Sequence, residues 1–150
     1  MKKLFFVGLI FALLIQGCQP RQTKVTIPMK GAWKVISWER WSNDTLEFTI
    51  PGTISGSEIK IWSDKYFVFS GSYKRDTTII DNYGGGTFKL DGNHYEETIL
   101  YWPKAYKIPA APIKLSLEIK GDTLIQTWPL DETWQLDKSN YEVQKLIRLE

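Results

Sequence analysis

The sequence predicts an all-β domain built as a meander of eight to ten antiparallel strands. Three observations predict it. Short segments of alternating apolar and polar residues recur from residue 31 onward, separated by turn residues. Two of the separators, Asp91-Gly92 and Gly121-Asp122, are strong hairpin signals, because both positions accept a positive φ. No stretch beyond the N-terminal apolar run carries the apolar period of an amphipathic helix. A meander of this kind closes into a barrel or folds into a sandwich, and about 120 residues suffice for either as one domain.

The chain begins MKKLFFVGLIFALLIQGCQP. Two lysines precede a twelve-residue apolar run, Leu4 to Ile15. That is too short for a membrane-spanning helix, which needs roughly 20 residues, and it fits the apolar region of a secretory signal. Ile15-Gln16-Gly17 ahead of Cys18 does not suit an ordinary cleavage site, which wants small residues at both key positions. The segment instead resembles a bacterial lipoprotein signal. That resemblance implies a signal peptide over residues 1–17, cleavage before Cys18, and lipidation of Cys18. It implies residence in the bacterial cell envelope. By lipoprotein sorting rules, the lack of an aspartate after the cysteine implies the outer membrane, facing the periplasm. Cys18 is the only cysteine, so no disulfide forms within one chain. Residues 18–29 then read as the lipidated cysteine and a tether, and residues 30–150 as the folded domain.

Gly31–Arg40 is the first predicted strand. Thr45–Ile50, less regular, follows, then Glu58–Trp62, Lys65–Tyr73 and the less regular Thr77–Asn82. Thr87–Leu90 and His94–Trp102 flank Asp91-Gly92. Lys114–Lys120 and Thr123–Trp128 flank Gly121-Asp122, and Glu142–Leu149 closes the chain. Strand parity is ambiguous in the first strand and in Glu58–Trp62, because both faces carry large apolar groups.

The hairpins fix the faces elsewhere. A two-residue turn at Asp91-Gly92 pairs Leu90 with Asn93, Phe88 with Tyr95 and Gly86 with Glu97. Phe88, Leu90, Tyr95, Glu97, Ile99 and Tyr101 then share one face. Leu115, Leu117, Ile119, Leu124, Gln126 and Trp128 share the inner face of the second hairpin. Two polar residues, Glu97 and Gln126, therefore sit among apolar ones. Phe67 and Phe69 bring aromatics from one strand earlier. Wide aromatic walls with a few polar groups are the usual make-up of a ligand cavity. An inward carboxylate is costly unless paired, protonated or wet. Three readings of Glu97 stand: a structural pair with a Lys or Arg such as Lys60, a cavity group that meets ligand or water, or an error of parity. Gln126 either makes a backbone hydrogen bond inside the barrel or lines the cavity.

Composition narrows the function. Aromatics make up 14% of the chain, with seven Trp, a globular composition rather than a disordered one. Without Lys2 and Lys3 the chain carries 17 basic and 17 acidic residues. With no basic run after residue 30, nucleic acid is not an expected partner.

Gly31-Ala32-Trp33 at the head of the first strand resembles the G-x-W motif of lipocalins. The fuller resemblance is to bacterial lipocalin-like lipoproteins of unassigned function. It rests on IKIWSDKYFVFSG (59–71), GGGTFKLDGNHYEETILY (84–101), GDTLIQTW (121–128) and Arg148, and with Gly31 and Trp33 it covers most of residues 30–150. It implies a single up-and-down antiparallel β-barrel with a cavity open at one end. It implies structural roles for Gly31, Trp33 and Arg148, the arginine stacking over the tryptophan at a closed barrel end. It implies no particular ligand. Trp38–Trp41 (WERW) matches no lipocalin motif.

No residue set spells out a reaction. The single histidine, His94, is expected on the wet face, where it serves neither a catalytic array nor an inward haem ligand. No Cys or His set suits a metal. Gly84-Gly85-Gly86 lacks the helix and the Lys-Ser/Thr of a phosphate loop and reads as a bend or bulge in a strand. Glu96 and Glu97 point to opposite faces and do not form an acid–base pair. Asn43-Asp44-Thr45 matches the N-glycosylation pattern by chance. Asp44-Thr45-Leu46 and Asp122-Thr123-Leu124 resemble a bacterial O-glycosylation pattern, and the second also reads as hairpin chemistry at Gly121-Asp122.

The expectation is a non-enzymatic, lipid-anchored barrel without cofactor that holds a small apolar or amphipathic ligand. Its walls are Phe67, Phe69, Phe88, Tyr95, Ile99, Tyr101, Leu117 and Trp128, with Glu97 and Gln126 orienting the ligand's polar end. The alternative is a solid-cored barrel whose exposed aromatics, such as Trp38, Trp41 and Trp102, meet an envelope protein or a glycan. An enzyme would need Glu97 as a lone general acid or base.

Overall fold

A computed structural model describes residues 27–150. The expected signal peptide, Cys18 and most of the tether lie outside the described residues. Nine strands run in order: β1 (Gly31–Ser42), β2 (Thr45–Ile50), β3 (Ser55–Trp62), β4 (Tyr66–Arg75), β5 (Thr78–Asp91), β6 (His94–Tyr101), β7 (Ile113–Lys120), β8 (Thr123–Trp128) and β9 (Asn140–Arg148). The described residues contain no helix. All pairings are antiparallel. β3 to β9 follow each other in the sheet, and β1 closes it by pairing with both β3 and β9. The result is a closed eight-stranded up-and-down barrel with one extra strand. That strand, β2, pairs with the second half of β1, from Trp38↔Ile50 to Ser42↔Thr45, beyond the point where β3 leaves it at Lys34↔Ile59.

The ambiguous first strand has a physical explanation. β1 carries a bulge against β9 between Val35 and Ser37. The extra residue exchanges the two faces. Before it, Trp33 and Val35 are buried inside; after it, Trp38 and Arg40 line the interior. Ser57 bridges the interruption by donating its hydroxyl to the Val35 carbonyl at 2.9 Å.

The β5–β6 hairpin turns on Gly92-Asn93 rather than Asp91-Gly92. Asp91 pairs with His94, Leu90 with Tyr95, Phe88 with Glu97 and Gly86 with Ile99. Gly92 takes φ +61° at the first central position, where a type II′ turn wants glycine. The register thus differs by two residues from the expected one. A shift of two, unlike a shift of one, leaves every side chain on its face.

The three glycines lie inside β5 and do not end it, so Thr77–Asn82 and Thr87–Leu90 belong to one strand. The pairing slips there, between Gly85 and Gly86, as Gly86 faces Ile99 and Gly85 faces Tyr101. Leu100 is the extra residue of this bulge. The parity change turns Tyr101 outward, 74% exposed, which removes it from the expected interior set. At Gly86 a Cβ would lie 1.9 Å from the Thr98 carbonyl oxygen, so only glycine allows the strands to approach this closely.

One end of the barrel is filled. Trp33, Trp62, Phe67, Tyr95, Leu124 and Leu146 are almost wholly buried there with Met29, each contributing about 1.5–3 kcal/mol by burial if aliphatic or Phe-sized. The Trp33 indole donates to the Met29 carbonyl at 2.8 Å, and the Trp62 indole donates to the Tyr95 hydroxyl at 2.7 Å. Arg148 closes the end. Its guanidinium lies 4.2 Å from the Trp33 ring centroid and donates to the Lys30 carbonyl at 2.9 Å and the Pro28 carbonyl at 2.8 Å. Gly31 sits beneath it, its Cβ position 3.4 Å from the same guanidinium.

A candidate ligand cavity with a charged interior

The other half of the barrel is hollow. A cavity of about 350 Å³ lies between the packed end and the mouth, near the lower limit of ordinary small-molecule sites. Its aromatic and aliphatic wall includes Trp38, Phe69, Ile99, Trp102, Tyr106, Ile113, Leu115 and Trp128. Trp102, Tyr106 and Ile113 carry the wall to the β6–β7 seam. Those strands pair only from His94↔Ser116 to Glu97↔Ile113. Beyond that the chain leaves β6 through Trp102 and Tyr106, whose rings stack at 5.3 Å.

Charged and amide groups occupy the interior. β3 supplies Glu58 and Lys60, both buried, while the intervening Ile59 and the next residue, Ile61, face outward. Pairing dictates this: Trp62 faces Phe67 across the β3–β4 ladder and Lys60 faces Phe69. The large rings go inward and carry the alternate charged residues with them. Lys60 forms an ion pair with Glu97, both side chains under 10% exposed. Its ammonium also lies 3.5 Å from Gln126 Oε1 and 5.0 Å from the ring centroids of Trp62 and Phe67.

Across the cavity, Glu142 on β9 accepts from Arg40 Nη2 at 2.6 Å, from Arg40 Nε at 3.0 Å and from the Trp38 indole at 2.6 Å. Glu58 accepts from Asn82 Nδ2 at 2.5 Å and faces the Tyr73 hydroxyl. Burial pushes the Glu58 carboxyl up to about 7, against the opposing pull of Lys60 and Asn82. Burial, then the Glu97 charge, pushes the Tyr95 phenol well above its usual range. Two polar atoms in the wall are buried without a hydrogen-bond partner, Gln126 Nε2 and Trp102 Nε1.

The expected site residues fall into three places. Phe69, Glu97, Ile99, Gln126 and Trp128 line the cavity. Phe67, Phe88, Tyr95 and Leu117 belong to the core and its flanks instead; they share the inward face but lie nearer the packed end. Tyr101 is outside. For Glu97, parity is as expected, and the ion pair with Lys60 and a place in the cavity wall hold together. Gln126 lies in the wall with its carbonyl toward Lys60.

Trp38 and Trp102, expected as outward aromatics, line the cavity. Trp41 stacks on Tyr141 at 6.3 Å. The sequence reading missed Glu58, Arg40, Asn82, Glu142 and Gln144 among the lining residues. The signal for Glu58 was present in EIKIW, where Glu and Lys share parity with Trp62. Arg40 had none, because the bulge in β1 is invisible to an alternation count. Comparison with protein-family models, with curated proteins and with solved structures finds no match to this chain.

Proposed function

We propose that this chain is a non-enzymatic, lipid-anchored binding protein of the bacterial envelope that holds a small apolar or amphipathic molecule in its barrel, as its resemblance to lipocalin-like lipoproteins implies. The observation that carries this reading is the cavity's wall. Aromatic and aliphatic side chains surround it, and Gln126 Nε2 and Trp102 Nε1 are buried donors without a protein partner. A buried donor left unpaired costs about 1–3 kcal/mol, and a bound acceptor offsets that. The lipid on Cys18 attaches the chain to the membrane through the tether. That tether reaches the barrel at the packed end, where Pro28 and Lys30 meet Arg148. The cavity lies toward the other end of the barrel.

The test is a titration with an uncharged naphthylamine dye that fluoresces in apolar surroundings. The wild-type chain brightens it saturably, and Ile113→Trp, which places a large ring in the cavity wall, abolishes the signal. Equal dye response in both proteins would sink the cavity reading.

A solid-cored barrel that meets an envelope protein or glycan through its outside has one specific support. Tyr66, Tyr83 and Tyr101 are all more than half exposed on β4, β5 and β6. The hollow interior weighs against it.

A further inference from the structure

The charges inside the cavity do not cancel. Lys60 is taken by Glu97 and Arg40 by Glu142. Glu58, only 4% exposed, is the fifth charged side chain of the wall, and among the described residues it has no ion-pair partner of its own. Its one hydrogen-bond partner among the described side chains is neutral, the Asn82 amide at 2.5 Å. The charged or titratable groups that act on it are Lys60 on its own strand, Tyr73 on β4 and Glu97 on β6. Lys60 is already held by Glu97, by Gln126 and by the rings of Trp62 and Phe67. It is therefore poorly placed to receive a ligand carboxylate. The same cavity presents the rings of Trp38, Phe69 and Trp128, and aromatic faces attract organic cations. The buried, unpartnered Gln126 Nε2, 0% exposed, adds a donor for a neutral acceptor atom on the same ligand.

We infer that the cavity selects amphipathic cations, a substituted ammonium group on an apolar body, with Glu58 as the counter-ion. This rests on the cavity reading above and narrows its ligand class. An ammonium beside Glu58 balances the wall's excess negative charge, and an anionic amphiphile adds to it. The carboxyl of Glu58, raised to about 7 by burial, must be ionised to act as counter-ion. Affinity for a permanent cation therefore rises with pH through that value. Between pH 6 and pH 8 the competent fraction changes by about tenfold, and the apparent affinity follows it.

The test uses the chain from Gln19, which carries the whole described barrel and its core, and three probes of equal chain length kept below micelle formation. These are octyltrimethylammonium, octyl sulfate and octanol, measured by calorimetry at pH 6 and pH 8. The expected result is at least tenfold tighter binding of the cation than of the sulfate at pH 8. The cation's affinity falls by about tenfold at pH 6. Glu58→Gln, which keeps the side chain's size, removes both the preference and the pH slope while octanol binding persists. Octyl sulfate binding as well as the cation, or a Glu58→Gln variant that keeps the preference, would overturn the inference and leave the cavity reading standing. A chain that binds none of the three overturns both.

Discussion

Lys60 on β3 and Glu97 on β6 form a buried ion pair across the inside of the barrel, although β4 and β5 separate their strands in the sheet. Breaking such a pair from one side leaves an uncompensated buried charge. Lys60→Met is expected to cost about 3–5 kcal/mol in urea unfolding. Lys60→Met combined with Glu97→Leu should recover most of that loss. A double variant as unstable as the sum of the two single ones would mean that the pair is not coupled.

Glu58 makes stability depend on pH. Its carboxyl titrates near 7 in the folded chain against 4.5 as the ordinary value. Between those values the folded state holds a proton that the unfolded state has released. Stability therefore falls as pH rises from about 4.5 to about 7 and levels off above. The full difference is about 3 kcal/mol. Glu58→Gln is expected to melt above wild type at pH 8 and level with it at pH 4. Melting curves that differ by the same amount at both values would refute the assignment.

Arg148 holds the packed end by the Trp33 ring and two backbone carbonyls. Arg148→Ala should lose about 2–4 kcal/mol, from the stacking and the charge-assisted hydrogen bonds. Arg148→Lys should recover less than half, since an ammonium lacks the planar fork. Dye uptake by the folded Arg148→Lys protein should match wild type, because the cavity is at the far end. Altered uptake would show that the two ends are linked.

Gly86 and Gly92 give a contrast within one hairpin. A Cβ on Gly86 meets the Thr98 carbonyl oxygen at 1.9 Å, whereas one on Gly92 meets nothing within 4 Å. Gly86→Ala should cost more than about 3 kcal/mol or prevent folding. Gly92→Ala should cost about 1–2 kcal/mol, from its positive φ alone. Thermal melts that rank the two the other way would contradict the bulge geometry.

The strands were legible because alternation and turn chemistry are local. His94–Tyr101, Thr123–Trp128 and the face shared by Tyr95, Glu97 and Ile99 could be read without knowing the partners. What failed involved a second strand. Tyr101 left the interior because of a slip opposite Gly85-Gly86, and Trp38 and Arg40 entered it through the bulge in β1. A bulge depends on how two strands fit and leaves no mark on an alternation count. Glu97, and Lys60 as its candidate partner, were legible from the sequence, whereas Glu58 was missed for another reason. Both faces of Glu58–Trp62 carry large apolar groups, so alternation leaves their parity open, and it is set by Trp62 facing Phe67. The depth of a side chain along the barrel is likewise absent from a face assignment, so Phe67 and Phe69 looked equivalent while only Phe69 reaches the cavity.

The most direct test of a binding cavity is native mass spectrometry of the chain from Gln19, purified from the cells that make it and then returned to a total small-molecule extract of those cells. The account predicts a discrete bound mass that is lost or weakened in Trp128→Ala. A bare chain mass before and after exposure to the extract would contradict it.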